Sequence, residues 1–150
     1  MPAADVPPPF EPEPQTGPVF TLSSWGKRLA GGAIDNLAPG FVQIALLNVT
    51  GARVVDLLVQ LAYLVFIFWN LVRQGNTGQT VGKSVVGIKL VREADAQAVG
   101  VPLSIGRYFL HIIDALPCLV GYFNPLWDAK RQTFADKIVN TVVIDVVDGQ

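Results

Sequence analysis

The sequence is short of histidine, cysteine and charge. Its 150 residues hold one histidine, His111, one cysteine, Cys118, and charged side chains at 15%. One cysteine cannot close a disulfide within the chain or build a cysteine-rich zinc site. One histidine excludes the common two- and three-histidine metal centres, so no metal is expected. Neither residue completes a Ser/His/Asp or Cys/His nucleophile arrangement. The expectation is a chain that is not an enzyme, with no catalytic residues and no cofactor. A net charge of -1 and an isoelectric point near 5.7 leave no basic stripe for nucleic acid.

Apolar residues are abundant, at 51%. Soluble domains carry roughly 25% charged residues, and a chain this short has a large surface for its volume. The apolar surplus is therefore expected to face lipid, which makes the bilayer the first partner.

Residues 1–22 hold seven of the eleven prolines and read as a disordered, partly polyproline leader. Residues 23–150 read as one membrane domain. Its first apolar run, Leu29–Val49, has 21 residues, about 31 Å as a helix, with Ser23 or Ser24 to cap it. The second, Val54–Val72, is apolar around its circumference, with Trp69 near one end. Residues 73–107 are Gly-rich and basic and read as a small cytoplasmic β-hairpin, SVVGIKLV pairing with VPLS. The third apolar segment, Tyr108–Trp127, is interrupted by Asp114, Pro117, Gly121 and Pro125. The tail, 128–150, ends in a strand, TVVIDVV.

Basic residues orient these segments. Lys27 and Arg28 precede the first run, Arg53 alone stands between the first two, and the rest follow the second or third. This places the N-terminus in the cytoplasm. If Tyr108–Trp127 is re-entrant, every basic residue but Arg53 shares that side; if it spans, the basic tail lies outside. The fold class expected is an all-α membrane protein with two to three transmembrane or re-entrant helices, in a bacterial plasma membrane.

Three features could carry chemistry. Asp35 lies inside the first run, where a charge costs about 2.5–3.5 kcal/mol and calls for a partner. Arg28 shares its helix face but stands about 10 Å away, so water or other partners must answer each. Pro39 frees a carbonyl beside Asp35 and predicts a bend. His111 and Asp114, three apart, share a helix face, as a proton relay or a structural pair would. GQTVGKS resembles a phosphate loop, but Thr77 stands where the first glycine should be and an apolar helix precedes it, so no nucleotide is expected. Lys83 is expected to snorkel to headgroups.

WGKRLAGGAIDNLA, GQTVGKSVVGIKLV with PLSIGRYFL, and NPLWDAKRQTFADKIVNTVVI together resemble the RDD family of small bacterial membrane proteins, over Trp25–Ile144. The family is named for an arginine and two aspartates, which map to Arg28, Asp35 and Asp136. Many relatives carry histidine just before the second aspartate; here it is Ala135. The resemblance implies a multi-pass membrane protein with transport of unidentified ligands proposed. It suggests a charge cluster of Arg28, Asp35, Arg107 and Asp136. Two functional readings result. The chain takes part in moving a small solute or cation, with Asp35 at the site and His111 and Asp114 beside it, working as a homo-oligomer or within a complex. Alternatively it is an accessory or assembly subunit, with Arg28 and Asp35 as packing elements.

Overall fold

The computed structural model describes residues 20–50 and 52–146, so the leader over 1–19 lies outside the described residues. Helix α1, Trp25–Gly32, runs without a break through a π turn, Ala33–Leu37, into α2, Ala38–Thr50. After a short link come α3, Arg53–Thr77, α4, Val81–Val85, and strand β1, Ile88–Arg92. Then follow α5, Val101–Ala115, α6, Val120–Phe123, a 3-10 turn, Asn124–Leu126, α7, Phe134–Ile138, and strand β2, Thr141–Asp145.

The first helix starts at Trp25 rather than Leu29 because the Ser24 hydroxyl accepts the Lys27 N–H at 3.3 Å. The bend expected at Pro39 is a π turn just before it, in which the Ala38 N–H reaches the Ala33 carbonyl. Proline has no N–H and its ring crowds the carbonyl one turn back; a wider turn relieves both. The same turn leaves Asp35 buried.

Helix α3 has 25 residues, about 37 Å, against a hydrocarbon core of about 30 Å. Among the described residues it alone is long and apolar enough to cross a membrane as a single helix. Val101–Ala115 and Val120–Leu126 would pass together, but they meet at 107°. The third apolar segment is thus longer than Tyr108–Trp127 and sharply folded. One end packs on α3, with Val101 against Gly75, and the other on α1, with Phe123 stacked on Trp25 at 5.6 Å.

The expected hairpin within 73–107 does not form. VPLS opens α5, because Gly100 breaks the chain and Pro102 suits a helix's first turn. Strand β1 pairs instead with β2, antiparallel, with Leu90 opposite Val143. The other edge of β2 takes up the chain entry: Ser23 N–H donates to Val143 O and Asp145 N–H to Thr21 O. An open strand edge captures extended chain within reach, so residues 21 and 22 belong to the folded domain and not to the leader.

The buried apolar core is small: Ile88, Leu90, Val99 and Val143 cluster with Val86 against them, and Val91, Ala135 and Val142 are buried besides. It sits under the sheet, in what we call the cap. The large apolar side chains elsewhere face outward, among them Phe41, Ile44, Leu58, Leu61, Phe68 and Leu116. Helices α2 and α3 are tied within this apolar zone by Gln43 donating to Gln60 at 2.8 Å, the kind of amide pair that joins helices in lipid.

Helices α3 and α5 approach at Gly75, where a Cβ would stand 2.5 Å from Val101 Cα. Gly75→Ala should therefore destabilise by about 1–3 kcal/mol. Gly106→Ala, where a Cβ meets nothing within 4 Å, should be neutral or gain up to about 1 kcal/mol. Unfolding in mild detergent checks this contrast; equal effects would contradict the packing.

Candidate functional site

Three buried carboxylates organise the polar end of the molecule. Asp136, fully buried, is the most connected. Its Oδ1 accepts from Arg107 Nε at 2.7 Å and from the Thr141 hydroxyl at 3.3 Å. Its Oδ2 accepts from Arg28 Nη1 and from the Thr133 N–H, both at 3.2 Å. The Asp136 N–H in turn donates to the Thr133 hydroxyl, a capping box that starts α7. One carboxylate thus ties α1, α5, α7 and β2 together.

Burial pushes the Asp136 carboxyl up, but the guanidiniums of Arg107 and Arg28 and the Thr133 N–H outweigh it. The group is held below its usual value near 3.8.

Asp35 lies apart from this centre and has its own partners. Its Oδ1 accepts from Asn70 Nδ2 at 2.9 Å and from the Gly82 N–H at 2.7 Å; its Oδ2 accepts from the Thr80 hydroxyl. The expected four-charge cluster is therefore two groups: Arg28, Arg107 and Asp136 in one, Asp35 in the other. Gly82 makes this possible. A Cβ there would run into the Gly31 carbonyl and the Asp35 carboxylate. The GQTVGKS block serves as the seat of Asp35, its Gly82 amide given to a carboxylate of the same chain.

Asp114 also meets a helix start. Its Oδ1 accepts the Phe134 and Ala135 N–H groups at 2.8 and 3.2 Å, and its Oδ2 lies 2.5 Å from His111 Nδ1. The His111–Asp114 pair expected from spacing is formed. His111 stacks on Tyr122 at 5.4 Å, and Gly121 lies so close to Asp114 that a Cβ would clash.

Lys83 does not snorkel outward. Its Nζ donates to Gln74 Oε1, and Gln74 Nε2 donates to the Ser104 hydroxyl at 3.0 Å. Burial, then repulsion from Arg107, lowers the Lys83 ammonium from 10.5 to about 7, against the attraction of Asp35 and Asp136.

Some of these groups border a cavity of about 640 Å³ between the π turn, α3, α4 and α5. Asp35, Asn70, Gln74, Lys83 and Arg107 line its polar end. Ile67, Leu71, Phe109 and Ile112 form its apolar walls. Arg28, Asp114 and Asp136 do not line it. Sequence reasoning missed Asn70, Gln74, Thr80, Thr133 and Thr141. Thr133 had a signal, the T-x-x-D spacing to Asp136; the others had none, because their partners are distant in sequence. Among the described residues no group of three or more His, Cys, Asp or Glu could hold a metal ion.

Two outcomes are expected. Asp136→Asn leaves two guanidiniums without their anion and should cost about 3–5 kcal/mol. Because the folded value is depressed, the wild-type contribution is present above the unfolded pKa and fades as pH falls through the folded one; the variant should lack this acid limb in a denaturation series. For Lys83 the unfolded chain binds the extra proton between pH about 7 and 10.5. Stability should rise with pH across that window, and Lys83→Met should remove the rise. A flat wild-type profile would contradict the lowered Lys83 value.

Comparison with known proteins bears on the whole arrangement. The RDD family model matches residues 22–140. Two proteins described as proline-rich antigen homologs, from two strains of Mycobacterium tuberculosis, are 44% identical over 95 residues, 63% of this chain and 40% of theirs. The proline-rich antigen of Mycobacterium leprae is 44% identical over 82 residues, 54% of this chain and 33% of its own. The chain thus spans two-fifths or less of the length of these relatives. No solved structure matches it. With a family match over most of its length, this chain belongs to the RDD family.

Proposed function

We propose that this is a multi-pass bacterial plasma-membrane protein that holds a small solute in the cavity beneath its cap, as a step in moving it. The observation that carries the reading is the inside-out distribution of side chains. Apolar groups cover the outside of α2, α3 and α5, while the buried positions at one end are polar or charged. A water-soluble protein of this size would not leave so continuous an apolar surface exposed. The cavity is lined by polar residues at one end and apolar ones along its walls, and its volume lies within the range of about 300–1,000 Å³ usual for small-molecule sites.

Charge gives the orientation. Of eleven basic residues, Arg53 alone stands at the α2–α3 turn; the other ten belong to α1, the end of α3, and the elements from α4 onward. Basic residues stay in the cytoplasm, so the cap and N-terminus face inward and the bent α5–α6 pair is re-entrant. A metal cation at Asp35 is disfavoured, because both carboxylate oxygens already accept hydrogen bonds.

That same satisfaction of Asp35, Asp114 and Asp136 supports a second reading, an accessory subunit in which the charges only pack helices. One experiment separates the two. The full chain is purified in mild detergent, and bound small molecules are extracted and identified by mass spectrometry. The first reading expects a stoichiometric small molecule, lost in Ile112→Trp, which fills the cavity. A stoichiometric protein partner with no small molecule would favour the second.

A further inference from the structure

The chemistry of the bound solute follows from which hydrogen-bonding groups around the cavity are already in use, and this inference rests on the solute-binding reading above. The acceptors of Asp35, Gln74 and Asn70 at the polar end are taken. Asp35 receives Asn70, Gly82 and Thr80. Gln74 Oε1 receives Lys83. Asn70 Oδ1 receives the Val81 N–H at 2.9 Å.

The donors are not. Arg107 is 8% exposed and gives Asp136 its Nε at 2.7 Å. Among the described residues neither of its terminal nitrogens is hydrogen-bonded, although a guanidinium carries five N–H donors. The Lys83 ammonium has three donors and gives one to Gln74. The Tyr108 hydroxyl, also at the cavity, has no partner among the described residues. A nearly buried guanidinium with unused donors is costly unless something accepts from it.

We propose that the cavity binds an amphiphilic anion, a carboxylate or phosphate head held by Arg107, Lys83 and Tyr108, with its apolar body along Ile67, Leu71, Phe109 and Ile112. Arg107 and Lys83 repel one another across this end of the cavity, and an anion between them removes that repulsion. Arginine offers a planar fork that matches such a head, which a lysine in its place cannot. The wall residues are apolar, and the cavity is open on one side, so the apolar body can extend toward the surrounding lipid tails.

The test uses the full chain in phosphatidylcholine nanodiscs and equilibrium binding of three probes: decanoate, decyl phosphate and decyltrimethylammonium. The two anions should bind saturably at one site, and the cation at least about tenfold more weakly. Lys83→Gln and Arg107→Lys should each weaken the anions about tenfold, the loss of one charge-assisted hydrogen bond. Arg107→Lys keeps a cation beside Asp136; should it fail to fold, Lys83→Gln carries the test. Displacement by phosphatidylglycerol added to the nanodisc identifies a lipid headgroup as the source. Displacement by inorganic phosphate alone identifies a soluble anion. A cation that binds as tightly as the anions, or variants within twofold of wild type, would overturn the anion while leaving a solute cavity. No binding of either sign would overturn both.

Discussion

One buried carboxylate between two guanidiniums joins four elements at the polar end of this protein. Asp136 is inaccessible to solvent and accepts from Arg28, Arg107, Thr133 and Thr141. Those four donors come from the first helix, the bent α5, the start of α7 and the last strand. Burying such a group alone would be prohibitive; with two cations and two further donors around it, the charge becomes a joint. Arg28 then reaches on to the Val143 carbonyl, so the first helix is fastened to the sheet as well.

The other two buried carboxylates follow a related plan. Asp35 sits on the first turn of α4 and Asp114 on the first turn of α7, where backbone N–H groups lack partners within the helix. Each ties a long helix to a short one. The apolar core, seven buried side chains among the described residues, is too small to hold these pieces by burial alone. The polar joints therefore locate the elements, and the apolar side chains of α2, α3 and α5 are left to face outward. This division leaves a cavity where the acceptors of Asp35, Gln74 and Asn70 are used in the joints while Arg107, Lys83 and Tyr108 keep unused donors.

Much of this could be read from the residues, and the remainder has a clear reason for being hidden. Arg28, Asp35 and Asp136 stand out because charges that flank or interrupt apolar runs need partners, and the His111–Asp114 pair follows from three-residue spacing on a helix. Which partner each charge takes was not legible. Arg28 meets Asp136 across 108 positions and Asn70 meets Asp35 across 35, and local spacing says nothing at that range. The hairpin expected in 73–107 failed for the same reason: β1 has a nearer candidate in sequence but pairs with the C-terminal strand, since VPLS has a glycine before it and a proline inside it that favour a helix start. Lys83 looked like a surface lysine because nothing in its neighbourhood announces Gln74.

The central claim is that Asp136 is joined to both arginines in the folded protein. Double-mutant cycles test it most directly, with Asp136→Asn combined in turn with Arg28→Gln and Arg107→Gln and unfolding free energies measured in detergent. Each double variant should be far less destabilised than the sum of its singles, with coupling of about 0.5–3 kcal/mol in both cycles. Strict additivity in both cycles would contradict it.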